Sequence, residues 1–71
     1  MSRTPESEIR LALDDAVQNA AVVTVVLDNA RRWLGVVRKH PTEPGFYNVR
    51  TGSRGRPPVF HREDVERVIF E

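Results

Sequence analysis

Ala21-Val22-Val23-Thr24-Val25-Val26-Leu27, then Asp28-Asn29, then Arg31 through Lys39 (RRWLGVVRK) is the stretch on which the fold turns. Residues 21–27 are dominated by β-branched side chains and are too few for an independent helix, so they read as a strand. Asp28-Asn29 supplies a turn. Residues 31–39 follow as a second strand, with Trp33, Gly35 and Val37 on one face and Leu34 and Val36 on the other. A glycine in mid-strand suits a sharp bend.

On the N-terminal side, Ile9, Leu13, Val17 and Ala20 recur every three or four residues with Ala12 and Ala16 beside them, which predicts a helix over 5–19. Thr4 or Ser7 is expected to cap it, with Pro5 in the first turn, Glu6 and Glu8 facing the dipole, and Asn19 at the exit. Only one stripe of this helix is apolar, so it must lie on another element. On the C-terminal side, His40-Pro41-Thr42-Glu43-Pro44-Gly45 reads as a turn, 46–50 as a third strand, and 51–58 as an exposed loop. Residues 59–61 read as a fourth strand, Arg62 to Glu66 as a 3₁₀ turn packing Val65 inward, and 68–70 as a fifth strand. A helix over Arg62 to Phe70, in an α+β arrangement, is the alternative. Five short strands at these spacings are expected to close into a small, strongly bent barrel. The fold class is mainly β: one domain over 1–71, with a helix over 5–19 and a five-stranded barrel over 21–70.

At 71 residues, folding buries only about 60% of the surface the unfolded chain exposes. With no cysteine there is no disulfide or thiolate metal site to compensate, and pairing with further copies is the remaining route to more burial. A homo-oligomer is expected. The N-terminus is polar and no apolar run approaches the roughly 20 residues of a membrane span. The expected location is the cytoplasm, with no membrane partner.

The net charge of +1 hides a strong asymmetry. Residues 1–28 carry Arg3 and Arg10 against Glu6, Glu8, Asp14, Asp15 and Asp28, a balance of −3. Residues 29–56 carry Arg31, Arg32, Arg38, Lys39, Arg50, Arg54 and Arg56 against Glu43 alone, a balance of +6. Residues 57–71 carry Arg62 and Arg67 against Glu63, Asp64, Glu66 and Glu71, a balance of −2. One contiguous cationic block is the footprint of a phosphate-facing surface, and the planar fork of arginine suits bidentate phosphate contact.

Val23-Thr24-Val25-Val26-Leu27-Asp28-Asn29, with Trp33-Leu34-Gly35-Val36-Val37 and Phe46-Tyr47-Asn48-Val49, resembles the first motif of the Sm and Sm-like (Hfq-like) family. Val59-Phe60-His61-Arg62-Glu63-Asp64-Val65, leading to Val68-Ile69, resembles the second, with Glu63 where that motif commonly has glycine. The resemblance implies an SH3-like small barrel with an N-terminal helix, in a ring-forming RNA chaperone or scaffold whose strands four and five pair between subunits. It further implies Phe46 stacking a base, with Asn48 and Arg62 hydrogen-bonding one.

Arg54-Gly55-Arg56-Pro57 is similar to the core of an AT-hook, apart from Ser53 in place of the leading proline. In such a segment glycine lets the backbone approach a narrow minor groove, the arginines lie along it, and proline keeps the chain extended. Phe46 and Tyr47 are adjacent on a strand and face opposite ways, so one of them is expected to be exposed as a stacking platform. Trp33 is a stacking candidate too, but its ordinary role is in the core or a subunit contact. His40 and His61 have no neighbours at metal-ligand or catalytic spacing, and the sequence holds no phosphate loop, nucleophile elbow or P-loop lysine. No catalytic, cofactor or metal residues and no small-molecule substrate are expected.

The sequence therefore predicts a non-enzymatic domain binding RNA or DNA through Arg31, Arg32, Arg38, Lys39, Phe46, Tyr47, Asn48, Arg50, Arg54, Arg56 and Arg62. A protein-interaction adaptor of SH3-like fold is the competing expectation.

Overall fold

The computed structural model describes residues 4–52 and 55–71. Helix α1 spans Glu6–Asn19 and buries Ile9, Leu13 and Ala16, with Val17 packed beside them. Ala20 belongs to the expected stripe yet leaves the helix: it turns left-handed (φ 49°), and its N–H donates to the carbonyls of Ala16 and Val17. The start also differs from expectation. Pro5 occupies the cap position without a side-chain cap, and its carbonyl accepts from the N–H groups of Glu8 and Ile9. Neither Thr4 nor Ser7 caps the helix, since Ser7 lies inside it.

Five strands follow: β1 (Val22–Leu27), β2 (Arg32–Lys39), β3 (Phe46–Arg50), β4 (Val59–His61) and, after a 3₁₀ turn at Arg62–Asp64, β5 (Val65–Phe70). The turn is shorter and β5 longer than the sequence suggests, and no helix forms over 62–70. The reason is pairing: Val65 lies opposite Leu27 across a bulge, so the strand begins as soon as β1 offers a partner. All neighbours are antiparallel, in the order β4-β3-β2-β1-β5.

β4 and β5 lie at opposite edges and do not pair, so the sheet is bent but not closed, contrary to the expected barrel. β4 has three residues, and the 3₁₀ turn carries the chain straight across to β1, where the Asp28 N–H donates to the Asp64 carbonyl at 2.9 Å. The bend centres on Gly35. A Cβ there would lie 2.1 Å from the Arg50 carbonyl oxygen, so only glycine lets the end of β3 fold over the inner face of β2.

Strand alternation sorts the side chains. Val23, Val25, Val37, Tyr47, Val49, Phe60 and Val65 face inward and are buried beneath Ile9 and Leu13 of α1. Val65 is inward as expected. Fully burying each of these aliphatic side chains contributes about 1.5–3 kcal/mol, and no charged or polar side chain of the described residues shares the core. No helix among the described residues is long and apolar enough to cross a membrane.

Candidate nucleic-acid interface

Most of the described cationic block gathers in one place, with Lys39 in a second cavity. Arg31, Arg38, Arg50 and Arg56 line one open cleft, formed by the start of β2, the outer faces of β2 and β3, and the described part of the loop after β3. Arg38 and Asn48 are register partners, as are Asn48 and Val59, so these three side chains form one outward row. Beyond it the chain is held extended by Pro57 and Pro58, whose carbonyl accepts from the Val49 N–H at 3.0 Å. Among the described residues, none of the four arginines forms an ion pair with a carboxylate.

Trp33 completes this cleft. It packs against the core from one side, as expected, and lines the cleft from the other. The bend at Gly35 produces this dual position by folding the end of β3 and its loop over the inner face on which Trp33 stands. As the sole tryptophan of the chain, two residues after Arg31, it was legible as a stacking candidate, although the sequence favoured a packing role for it.

A second cavity gathers Lys39, Phe46, Tyr47 and Arg62 with Arg10, Asp14 and His40. Two of its cations, Lys39 and Arg62, lie near acids of α1, Asp14 inside this cavity and Glu6 outside it. Lys39 Nζ lies 3.7 Å from Asp14 Oδ1, and Arg62 Nε lies 3.8 Å from Glu6 Oε1. The latter distance is too long for a hydrogen bond, and the buried Arg62 Nε has no hydrogen-bond partner among the described residues. Tyr47 is 3% exposed, and its ring stacks on Phe60 at a centroid distance of 5.9 Å. It is a core residue and offers no face to a base, which corrects its place among the contact residues. Its hydroxyl donates to Asp14 Oδ1 at 3.2 Å. Burial first, and then the Asp14 charge and hydrogen bond, push the phenol above its ordinary value of about 10, against an opposite pull from Arg62 and Arg10.

Phe46 is the exposed member of the pair, at 37%. Its ring is flanked edge-on by His61 at 4.8 Å and His40 at 6.5 Å. Both histidines use Nδ1 as an acceptor for backbone N–H groups: those of Thr42 and Glu43 for His40, and that of Glu63 for His61. Gly45 (φ 82°) makes room for His61, whose Nε2 would lie 2.7 Å from a Cβ. The two histidines thus serve turns.

Arg32 stands apart from both cavities, on the outer face of β2 opposite Val26. Arg54 lies outside the described residues. No protein-family model, curated protein or solved structure matches this chain.

Proposed function

We propose that this chain is a small Sm-like β-domain that binds nucleic acid with unpaired bases through the cleft of Arg31, Arg38, Arg50 and Arg56. The observation that carries the reading is the convergence of four guanidinium side chains, without carboxylate partners among the described residues, on a cleft that also presents an indole and an amide. The arginines neutralise successive phosphates, Trp33 stacks a base, and the Asn48 amide meets a base edge. Support for the Sm-like part comes from the helix ahead of a bent five-stranded antiparallel sheet, the 3₁₀ turn between β4 and β5, and the two unpaired edge strands through which that family assembles.

The test is fluorescence anisotropy with labelled single-stranded RNA, single-stranded DNA and AT-rich duplex, at low and high salt, read together with tryptophan emission. Four phosphate contacts on a single strand give a slope of log K against log salt of about −3. Binding of single strands with quenching of Trp33 is the expected result. A preference for duplex without quenching would move the contact to the Arg-Gly-Arg-Pro loop. No binding at either salt would overturn the reading in favour of a protein-interaction adaptor.

A further inference from the structure

Arg38 and Asn48 stand side by side in the arginine cleft, on the adjacent strands β2 and β3. They are register partners, which sets their Cβ atoms about 4.5–5.5 Å apart on the outer face. On the far side of Asn48 the row continues with Val59, which is 55% exposed and offers no hydrogen-bonding side chain. The other arginines of the described cleft come from strand ends and loops: Arg31 precedes β2, Arg50 ends β3 and Arg56 lies in the loop after it. Arg38 is thus the guanidinium that has a side-chain amide as its cross-strand neighbour. Among the described residues neither side chain is spent on the protein itself: the Asn48 amide makes no hydrogen bond and the Arg38 guanidinium no ion pair.

From this pair we infer, resting on the nucleic-acid reading of the cleft, that it selects guanine, with Arg38 as the specificity-determining residue. A side-chain amide carries a donor and an acceptor side by side and can present them in either order, so Asn48 matches the Watson–Crick edge of any base. It orients a base without choosing one. A guanidinium only donates, so Arg38 makes the choice. Next to the Watson–Crick edge of guanine lies its major-groove edge, where O6 and N7 both accept and match the arginine fork. Adenine and cytosine each carry an amino donor where guanine and uracil carry a carbonyl oxygen, and so turn an N–H toward the guanidinium. No carboxylate among the described lining residues takes that amino group instead. Uracil offers Arg38 the single acceptor O4. The order of preference is therefore guanine, then uracil, then adenine and cytosine.

Phosphate binding and stacking leave room for this role. A guanidinium has several N–H groups, so a fork directed at a base still leaves donors for a phosphate. Trp33 lies five residues back along β2, beyond the bend at Gly35, and stacks a different base of the same strand.

Fluorescence anisotropy of the full chain with short single-stranded RNAs tests it. A reference strand contains only adenine and cytosine, a second carries isolated guanines in place of some adenines, and a third has 7-deazaguanine, which keeps O6 but lacks the N7 acceptor, at those positions. The guanine strand is expected to bind about tenfold more tightly than the reference, and 7-deazaguanine to lose most of that gain. Arg38→Gln changes an exposed side chain, so the circular dichroism spectrum stays as it was. It is expected to bring the ratio of the two affinities to about one or below, because a glutamine amide also accepts from the adenine amino group. The ratio is unmoved by the loss of a phosphate contact, which weakens both strands alike. Equal affinity of the parent protein for the guanine and reference strands would overturn guanine selection while leaving the cleft a binder of unpaired bases. So would a guanine preference indifferent to Arg38→Gln, which would belong to another arginine. No binding of either strand would overturn the nucleic-acid reading itself, and guanine selection with it.

Discussion

Two cavities of this domain are lined by cations and treat them in opposite ways. In the cleft by Trp33 the arginines project without carboxylate partners among the described residues, whereas beside α1, Lys39 and Arg62 lie within 4 Å of helix acids. Side-chain chemistry is nearly constant between the two; what differs is whether the docked helix delivers Asp14 or Glu6. The exposed Lys39–Asp14 pair is worth only about 0–1 kcal/mol, but each pair leaves a cation less available to a phosphate. Cations bind ligands where the fold does not already answer their charge.

The contrast rests on the bend, so Gly35 is the place to break it. Gly35→Val sets a side chain against the Arg50 backbone, which cannot yield as a flexible side chain can. The expected loss is about 3 kcal/mol or more, a fall in Tm of at least roughly 12 °C for a domain of this size, read by thermal unfolding. A stable Gly35→Val protein would mean that β3 does not fold over β2, and the cleft with Trp33 would go with it.

The comparison sharpens with substitutions in the two cavities. Arg50→Ala with Arg56→Ala is expected to reduce the salt slope of single-strand binding by about 1.4 and to weaken binding tenfold or more at low salt. Lys39→Ala is expected to change the affinity by less than about twofold. Equal effects from the two cavities, measured by anisotropy titration, would erase the distinction between them.

Smaller, and specific to the helix side, is Asp14→Asn. It removes the charge and weakens the hydrogen bond that help hold the Tyr47 phenol up, so the phenol titrates at lower pH than in the parent, while burial keeps it above the ordinary value. Tyr47 is the only tyrosine, so ultraviolet titration reads it directly. The sign of the stability effect follows. A folded-state pKa raised above the unfolded value gives stabilisation that is complete below pH ~10 and is lost as the pH climbs through the folded value. Urea midpoints above pH 10 should fall less steeply for Asp14→Asn than for the parent, and an unchanged slope would mean that Asp14 does not act on the phenol.

Much of the fold was legible because its signals are local. The boundaries of β3 and β4, the opposite faces of Phe46 and Tyr47, and the inward aim of Val65 all follow from alternation and turn residues over a few positions. The early start of β5 was not legible, because Val65 gains its strand conformation from Leu27, about forty residues away, with Glu66 at the bulge that follows. For the site, Arg31, Arg38, Asn48, Arg50 and Arg56 were read from charge and motif and do converge. That Tyr47 would turn inward to Phe60, that Trp33 would stand in the cleft, and that Lys39 and Arg62 would meet α1 depend on contacts between distant segments.

By itself, then, the sequence determined the element types, the apolar alternation that builds an inner face, the single covering helix and the position of the cationic block. Each of these is set by residues within one or two turns or strand steps of one another. Only the tertiary structure decided that the sheet stays open at β4 and β5, which cations face a carboxylate, and which apolar residues are left on the outer face. Those outcomes depend on where the bend at Gly35 and the docking of α1 bring together groups far apart in the chain. Charge and burial at a point in space depend on every segment that reaches it.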